Sequence, residues 1–201
     1  ELKKITGKTP VTLDTNTVGS SVAQNTIRNS VIAVFISSLF VMLYIIYAFR
    51  NIDQAYLYAI AAIITLIHDV FVVMGLFIIL SLFLGSTVNS IFIVGILTVI
   101  GYSVNDTIVI FDRLRENITL NKSMEYLSVV NKSVMESVTR SLGTSITTSM
   151  VILAMLLFGG QSLRDFLIVL LLGVVIGTYS SIFVASNIML VWRYGLRKKS
   201  N

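Results

Sequence analysis

Five stretches of this chain are each long and apolar enough to cross a bilayer, which leaves it few ways to fold. In hydrocarbon every backbone N–H and C=O must find its partner within the protein, so such stretches become helices packed as a bundle. They run over 30–49, 55–84, 88–111, 142–158 and 163–192. At ~1.5 Å per residue each suffices for a ~30 Å core, and the second and fifth must tilt or project beyond it. Only 12% of residues are charged, against ~25% in soluble domains. The expected fold class is an all-α polytopic membrane protein.

Charge placement sets the expected orientation. Arg50, then Arg113, Arg115, Lys122, Lys132 and Arg140, then Arg193, Arg197, Lys198 and Lys199 fall on one side of the five spans. Arg28 and Arg164 flank spans on the other, with Lys3, Lys4 and Lys8 farther off. The positive-inside rule puts the richer side in the cytoplasm. The same placement argues for a membrane rather than nucleic acid as the partner of this net charge of +5. Segment 1–29 is then a short extracytoplasmic piece, with Pro10–Asp14 as a candidate strand, and 194–201 a cytoplasmic tail. Five spans with an external start suggest that a sixth span and an external domain precede them.

The connection 112–141 has its own pattern. Met124, Leu127, Val130, Val134 and Val138 recur at spacings of three and four, which predicts an amphipathic helix along the cytoplasmic surface. It serves either to dock a partner or simply to join two spans.

The intramembrane polar residues carry the chemistry. Asp106 lies six residues before Asp112, where the charged end of the third span begins, and so about 9 Å inside it. An ionisable residue at such depth costs roughly 3 kcal/mol on insertion scales and usually marks an ion or proton pathway. Tyr102 and Ser103 share its helix face and are expected to donate to it, with Asn105 adjacent. Arg140 opens the fourth segment, and Thr144, Thr147 or Thr148, and Val151 continue its face at helical spacing. Arg140 is expected to pair with Asp106 when the site is dry and to part from it when water enters, unless it only snorkels to the interface. His68 and Asp69 lie mid-span at adjacent positions ~100° apart. One should face the interior and the other a neighbouring helix, either as functional groups or as packing anchors. Ser180, Ser181 and Asn187 read as packing groups.

Several chemistries are excluded. The chain has no cysteine, one histidine, no G-x-x-x-x-G-K phosphate loop and no H-E-x-x-H. Catalysis by thiol, metal or nucleotide hydrolysis has no residues to run on, and no cofactor is expected. Energy must come from a partner or an ion gradient. The remaining classes are a proton-coupled transport subunit, an exporter half for small molecules or lipids, and a membrane scaffold with no transport of its own. An intramembrane protease would need a second aspartate in the appropriate motif.

The run Gly101–Asn117, GYSVNDTIVIFDRLREN, closely resembles the fourth-span signature of the SecD/SecF family of protein-export subunits, within the resistance-nodulation-division (RND) superfamily. Val18-Gly19, Phe49-Arg50, His68-Asp69-Val70 and Ser141-Leu142 after Arg140 support it, so the similarity extends from Val18 to Arg193. Ser20 stands where the family usually has proline. The resemblance implies an RND-type six-helix bundle, of which this chain holds spans two to six after the last strand of an external (P1-type) domain. It implies residence in the prokaryotic cell membrane, with SecD supplying a second set of spans and SecYEG, and often YajC, as associates. It further implies that a proton gradient (or sodium in some bacteria) draws unfolded preprotein outward after the ATPase SecA has driven it into the channel. In the family, the residues matching Asp106 and Arg140 take part in proton transport.

Overall fold

The computed structural model describes residues 20–50, 52, 54–84 and 90–199. The candidate strand 10–14 lies outside the described residues. Helix α1 spans Ser20–Ala48, α2 Ala55–Leu84, α3 Ser90–Leu120 and α4 Tyr126–Phe158. A 3-10 turn, Gln161–Leu163, leads into α5, Arg164–Ser180. A single π-helical stretch, Ser181–Ala185, joins α5 to α6, Ser186–Lys199. The described residues contain five helical stretches long and apolar enough to cross a membrane, and no strand, as the hydropathy pattern requires.

The connection 112–141 differs from expectation in how it divides. It is helical, but not a separate surface element: α3 continues to Leu120, and α4 begins at Tyr126 and runs unbroken into the fourth span. No proline interrupts either stretch, so each helix propagates until the polar turn at 121–125. The two polar extensions pack as an antiparallel pair. Asn117 Nδ2 donates to Ser133 Oγ at 3.0 Å and to Glu136 Oε2 at 2.8 Å, and Arg113 Nε donates to the same Glu136 oxygen at 2.7 Å. These groups lie beyond the apolar stretch, which ends at Phe111. The Asn117 amide, and after it the Arg113 guanidinium, hold the Glu136 carboxyl below its usual range. A lowered carboxyl pKa favours the folded form above the ordinary glutamate value of ~4.3 and loses that contribution as pH falls through the folded-state value. Protection factors for amide exchange around 113–120 and 133–140 should therefore be level near neutrality and drop in acid. A Glu136→Gln chain should lack the drop.

Two cores lie along the bundle. At the end bearing the polar extensions, Phe49, Tyr58 and Phe111 pack ring to ring at centroid distances of 4.8, 6.3 and 5.6 Å. Leu114, Val129, Val130 and Met189 complete that cluster. Arg115 fastens α1 to it: its guanidinium donates to Ala48 O at 2.8 Å and pairs with Asp112 at 2.7 Å. Toward the other end, Val73, Phe77, Phe92, Val99, Val104 and Val169 join α2, α3 and α5. Between the two cores lies a layer of polar side chains. α1 buries little: only 6% of its span window is covered, against 56% for the span built from α5 and α6.

Candidate functional site

The polar layer exists because two parallel helices come unusually close. Along the α3–α5 seam the contacts are Gly95 with Val169, Val99 with Gly173, Ser103 with Gly177, and Thr107 with Ser181. Each step is four residues on both helices, at a constant sequence offset of 74. A glycine facing a larger residue lets the backbones approach, the packing typical of small-xxx-small motifs in membranes. A Cβ at Gly177 would lie 3.2 Å from the Ser103 Cα. Gly101, by contrast, faces open space and plays no part in the approach.

Asp106 is 3% exposed, one turn from Ser103 on α3. The Thr178 hydroxyl of α5 lies beside its carboxyl. Its Oδ2 has no hydrogen-bond partner among the described residues. Thr178 itself donates to Val174 O at 2.8 Å and shares a short hydrogen bond with Ser145 of α4. One hydroxyl proton thus has three acceptors around it, and the carboxylate is short of donors.

Asp69 is in the opposite situation. It is 1% exposed and accepts from Ser180 Oγ at 2.7 Å and, through a short hydrogen bond, from Ser103 Oγ. His68 Nδ1 lies 3.0 Å from its other oxygen. Three helices, α2, α3 and α5, therefore meet on one carboxylate. Beside it, Thr107 Oγ1 and Ser181 Oγ are 2.9 Å apart, within the first turn of the π-helical stretch. Hydrogen bonds between membrane helices average ~0.6 kcal/mol, so Thr107→Val should destabilise by about that much in detergent unfolding.

These contacts correct several expectations. Ser103 donates to Asp69 and not to Asp106. Tyr102 pairs its hydroxyl with Ser145 at 3.2 Å, also not with Asp106. His68 and Asp69 bond to each other: the imidazole folds back along its own helix while Asp69 faces the interior. Asn105 is exposed. Arg140 makes no ion pair with Asp106 within this chain and is exposed. The reason is rotational. α4 turns a ladder of serines inward (Ser133, Ser137, Ser141 and Ser145, all buried), and Arg140 sits ~100° round from Ser141. Ser133, Ser137 and Ser145 each donate to the carbonyl four residues back, at 2.7 to 2.8 Å, which suits an apolar interior. Thr144 is exposed and bonds back to Arg140 O at 3.0 Å, and half-buried Thr148 bonds back to Thr144 O at 2.8 Å. The Arg140 face is therefore an outward polar stripe on the bundle.

Ser180, Ser181, Thr178 and Ser145 are members of the layer that the sequence reading assigned to packing or passed over. Part of their signal was present: hydroxyls cluster at Thr178, Ser180 and Ser181, and Ser181 continues the four-residue step of Gly173 and Gly177. Among the described residues no group of His, Cys, Asp and Glu is arranged to hold a metal ion.

Residues 1–195 match the family model described as "Protein export membrane protein SecD/SecF, C-terminal". The protein translocase subunit SecF of Thermobaculum terrenum is 42% identical over 175 residues, 87% of this chain and 55% of its own length. SecF of Synechocystis sp. is 42% identical over 184 residues, 92% of this chain and 57% of that relative. A crystal structure of SecDF in its super-membrane-facing form superposes with a TM-score of 0.78 at 34% identity, covering 91% of this chain and 23% of the other. The chain thus spans little more than half the length of these SecF relatives, both described as protein translocase subunits. The chain belongs to the SecD/SecF family of protein-export membrane proteins.

Proposed function

We propose that this chain is the membrane bundle of a SecF-like subunit that acts with SecD, beside the SecYEG channel, to use the proton-motive force for preprotein translocation. In this reading Asp106 is the proton carrier. The observation that carries it is the buried Asp106 carboxyl, with one oxygen unpartnered in a seam otherwise rich in hydroxyls. Such a group binds and releases a proton without breaking the packing around it. Arg140 acts from the outward stripe of α4 and joins the relay when SecD's spans pack against that face. A proton is the coupling ion in this reading, and YajC is an accessory neighbour. The side holding the polar extensions of α3 and α4 is cytoplasmic, by the positive-inside rule.

The test is gradient-driven translocation of a preprotein into membrane vesicles carrying the full-length subunit with SecD. Asp106→Asn should insert and assemble normally, yet leave translocation at its rate without a gradient. An Asp106→Asn complex that kept the full gradient stimulation would overturn the proposal.

A further inference from the structure

Ser103 is the hydroxyl best placed by sequence to serve Asp106, and the structure gives its proton to Asp69 instead. A serine has one hydroxyl proton, so a bond to Asp69 is a bond withheld from Asp106. Ser180 is engaged by Asp69 in the same way. Asp106 Oδ2 is left without a donor although two serines stand in the same layer. We propose that Asp69 is a positioning residue for proton coupling: by holding the Ser103 hydroxyl, it keeps Asp106 short of donors and so raises the affinity of Asp106 for the proton it carries. The inference rests on the proton-carrier reading above, and adds to it a competition between two carboxyls for one hydroxyl.

The groups facing this competition are few. From α2 they are Asp69 and His68, and from α3 Asp106 and Tyr102. Among the described residues, α4 and α5 contribute neutral hydroxyls, Ser141, Ser145, Thr178 and Ser180. Arg140 is exposed and turned away from the seam. Two mechanisms could therefore link Asp69 to Asp106, the loaned hydroxyl or the negative charge itself, and they separate in a double-mutant test.

The measurement is the pH midpoint for modification of Asp106 by dicyclohexylcarbodiimide, which reacts with protonated carboxyls in apolar surroundings. It is read by peptide mass on full-length protein in detergent. Asp69→Ala removes the acceptor and frees Ser103, and the Asp106 midpoint should move about one unit toward acid, a tenfold loss of proton affinity. Ser103→Ala alone should leave the midpoint where it is, because that hydroxyl is not given to Asp106 in the parent. In the double variant, Asp69→Ala with Ser103→Ala, the shift should vanish. A shift that survives in the double variant would assign the effect to the charge of Asp69, and no shift in Asp69→Ala would remove its influence altogether. Either result overturns the inference, as does a moved midpoint in Ser103→Ala, which keeps Asp69 intact. Labelling needs no transport, so these outcomes stand apart from the translocation test of Asp106→Asn.

Discussion

Gly173→Leu is expected to prevent the α3–α5 seam from closing, with a loss of stability larger than any other single change in the bundle. Even the first atom of a new side chain, a Cβ at Gly173, would lie 2.0 Å from Val99 Cγ2 and 2.8 Å from Val99 Cβ. Val99 is fully buried and β-branched, with few rotamers to retreat into. Adding methylenes to a packed core typically costs ~1–3 kcal/mol, and a leucine here adds several to a site with no room for one. The helices would have to separate, breaking the Thr107–Ser181 bond across the seam and leaving Asp69 unable to hold Ser103 and Ser180 at once. Unfolding of the purified full-length protein in mixed detergent should show the loss directly. Gly173→Ala should be milder, and Val99→Ala in the same chain should restore much of it by removing the clashing methyls. Gly173→Leu with parental stability would mean that the two helices do not meet at this level.

The second large effect is on function. A proton moving through 100 mV is worth ~2.3 kcal/mol, enough to bias a two-state equilibrium ~50-fold. If Asp106 is the carrier, Asp106→Asn forfeits that whole bias while changing the side-chain volume little. Its Oδ2 has no partner among the described residues, so the packing loses no hydrogen bond at that atom. Insertion and association with SecD should be intact, and gradient stimulation should fall to the gradient-free rate. Arg140 offers a graded comparison. Arg140→Lys should retain more activity than Arg140→Met if a positive charge is what the relay needs, and the two should fail alike if it needs the planar fork of the guanidinium.

The spans were legible because length and hydropathy leave an apolar stretch little choice. Asp106 stood out for the same reason in reverse, as a charge where charge is costly. The rotational facts were harder to read. Adjacent residues on a helix differ by ~100°, so Arg140 and Ser141 take opposite fates, and only packing decides which one turns inward. The four-serine ladder of α4 decides it, and its even spacing was visible in the sequence once serine is counted as a packing residue. The Gly173-x-x-x-Gly177 motif likewise spelled out the seam. What it could not reveal is which helix it meets, or that the meeting brings Ser103 to Asp69. The single helix running from Tyr126 through the fourth span was missed because a change from amphipathic to apolar pattern suggests a boundary, whereas only a breaker residue makes one.

The constant offset along the seam makes it nearly self-similar. Slide α5 by one four-residue step, ~6 Å, and Val99 again meets a glycine, Gly177, while Ser103 meets the hydroxyl of Ser181. Knob-and-groove packing by itself hardly distinguishes these two settings. The bonds that do distinguish them run sideways, from Ser180 to Asp69 and from Thr178 to Ser145. The seam therefore behaves as a rack whose teeth fit in more than one position, with the flanking hydroxyls as its pawl.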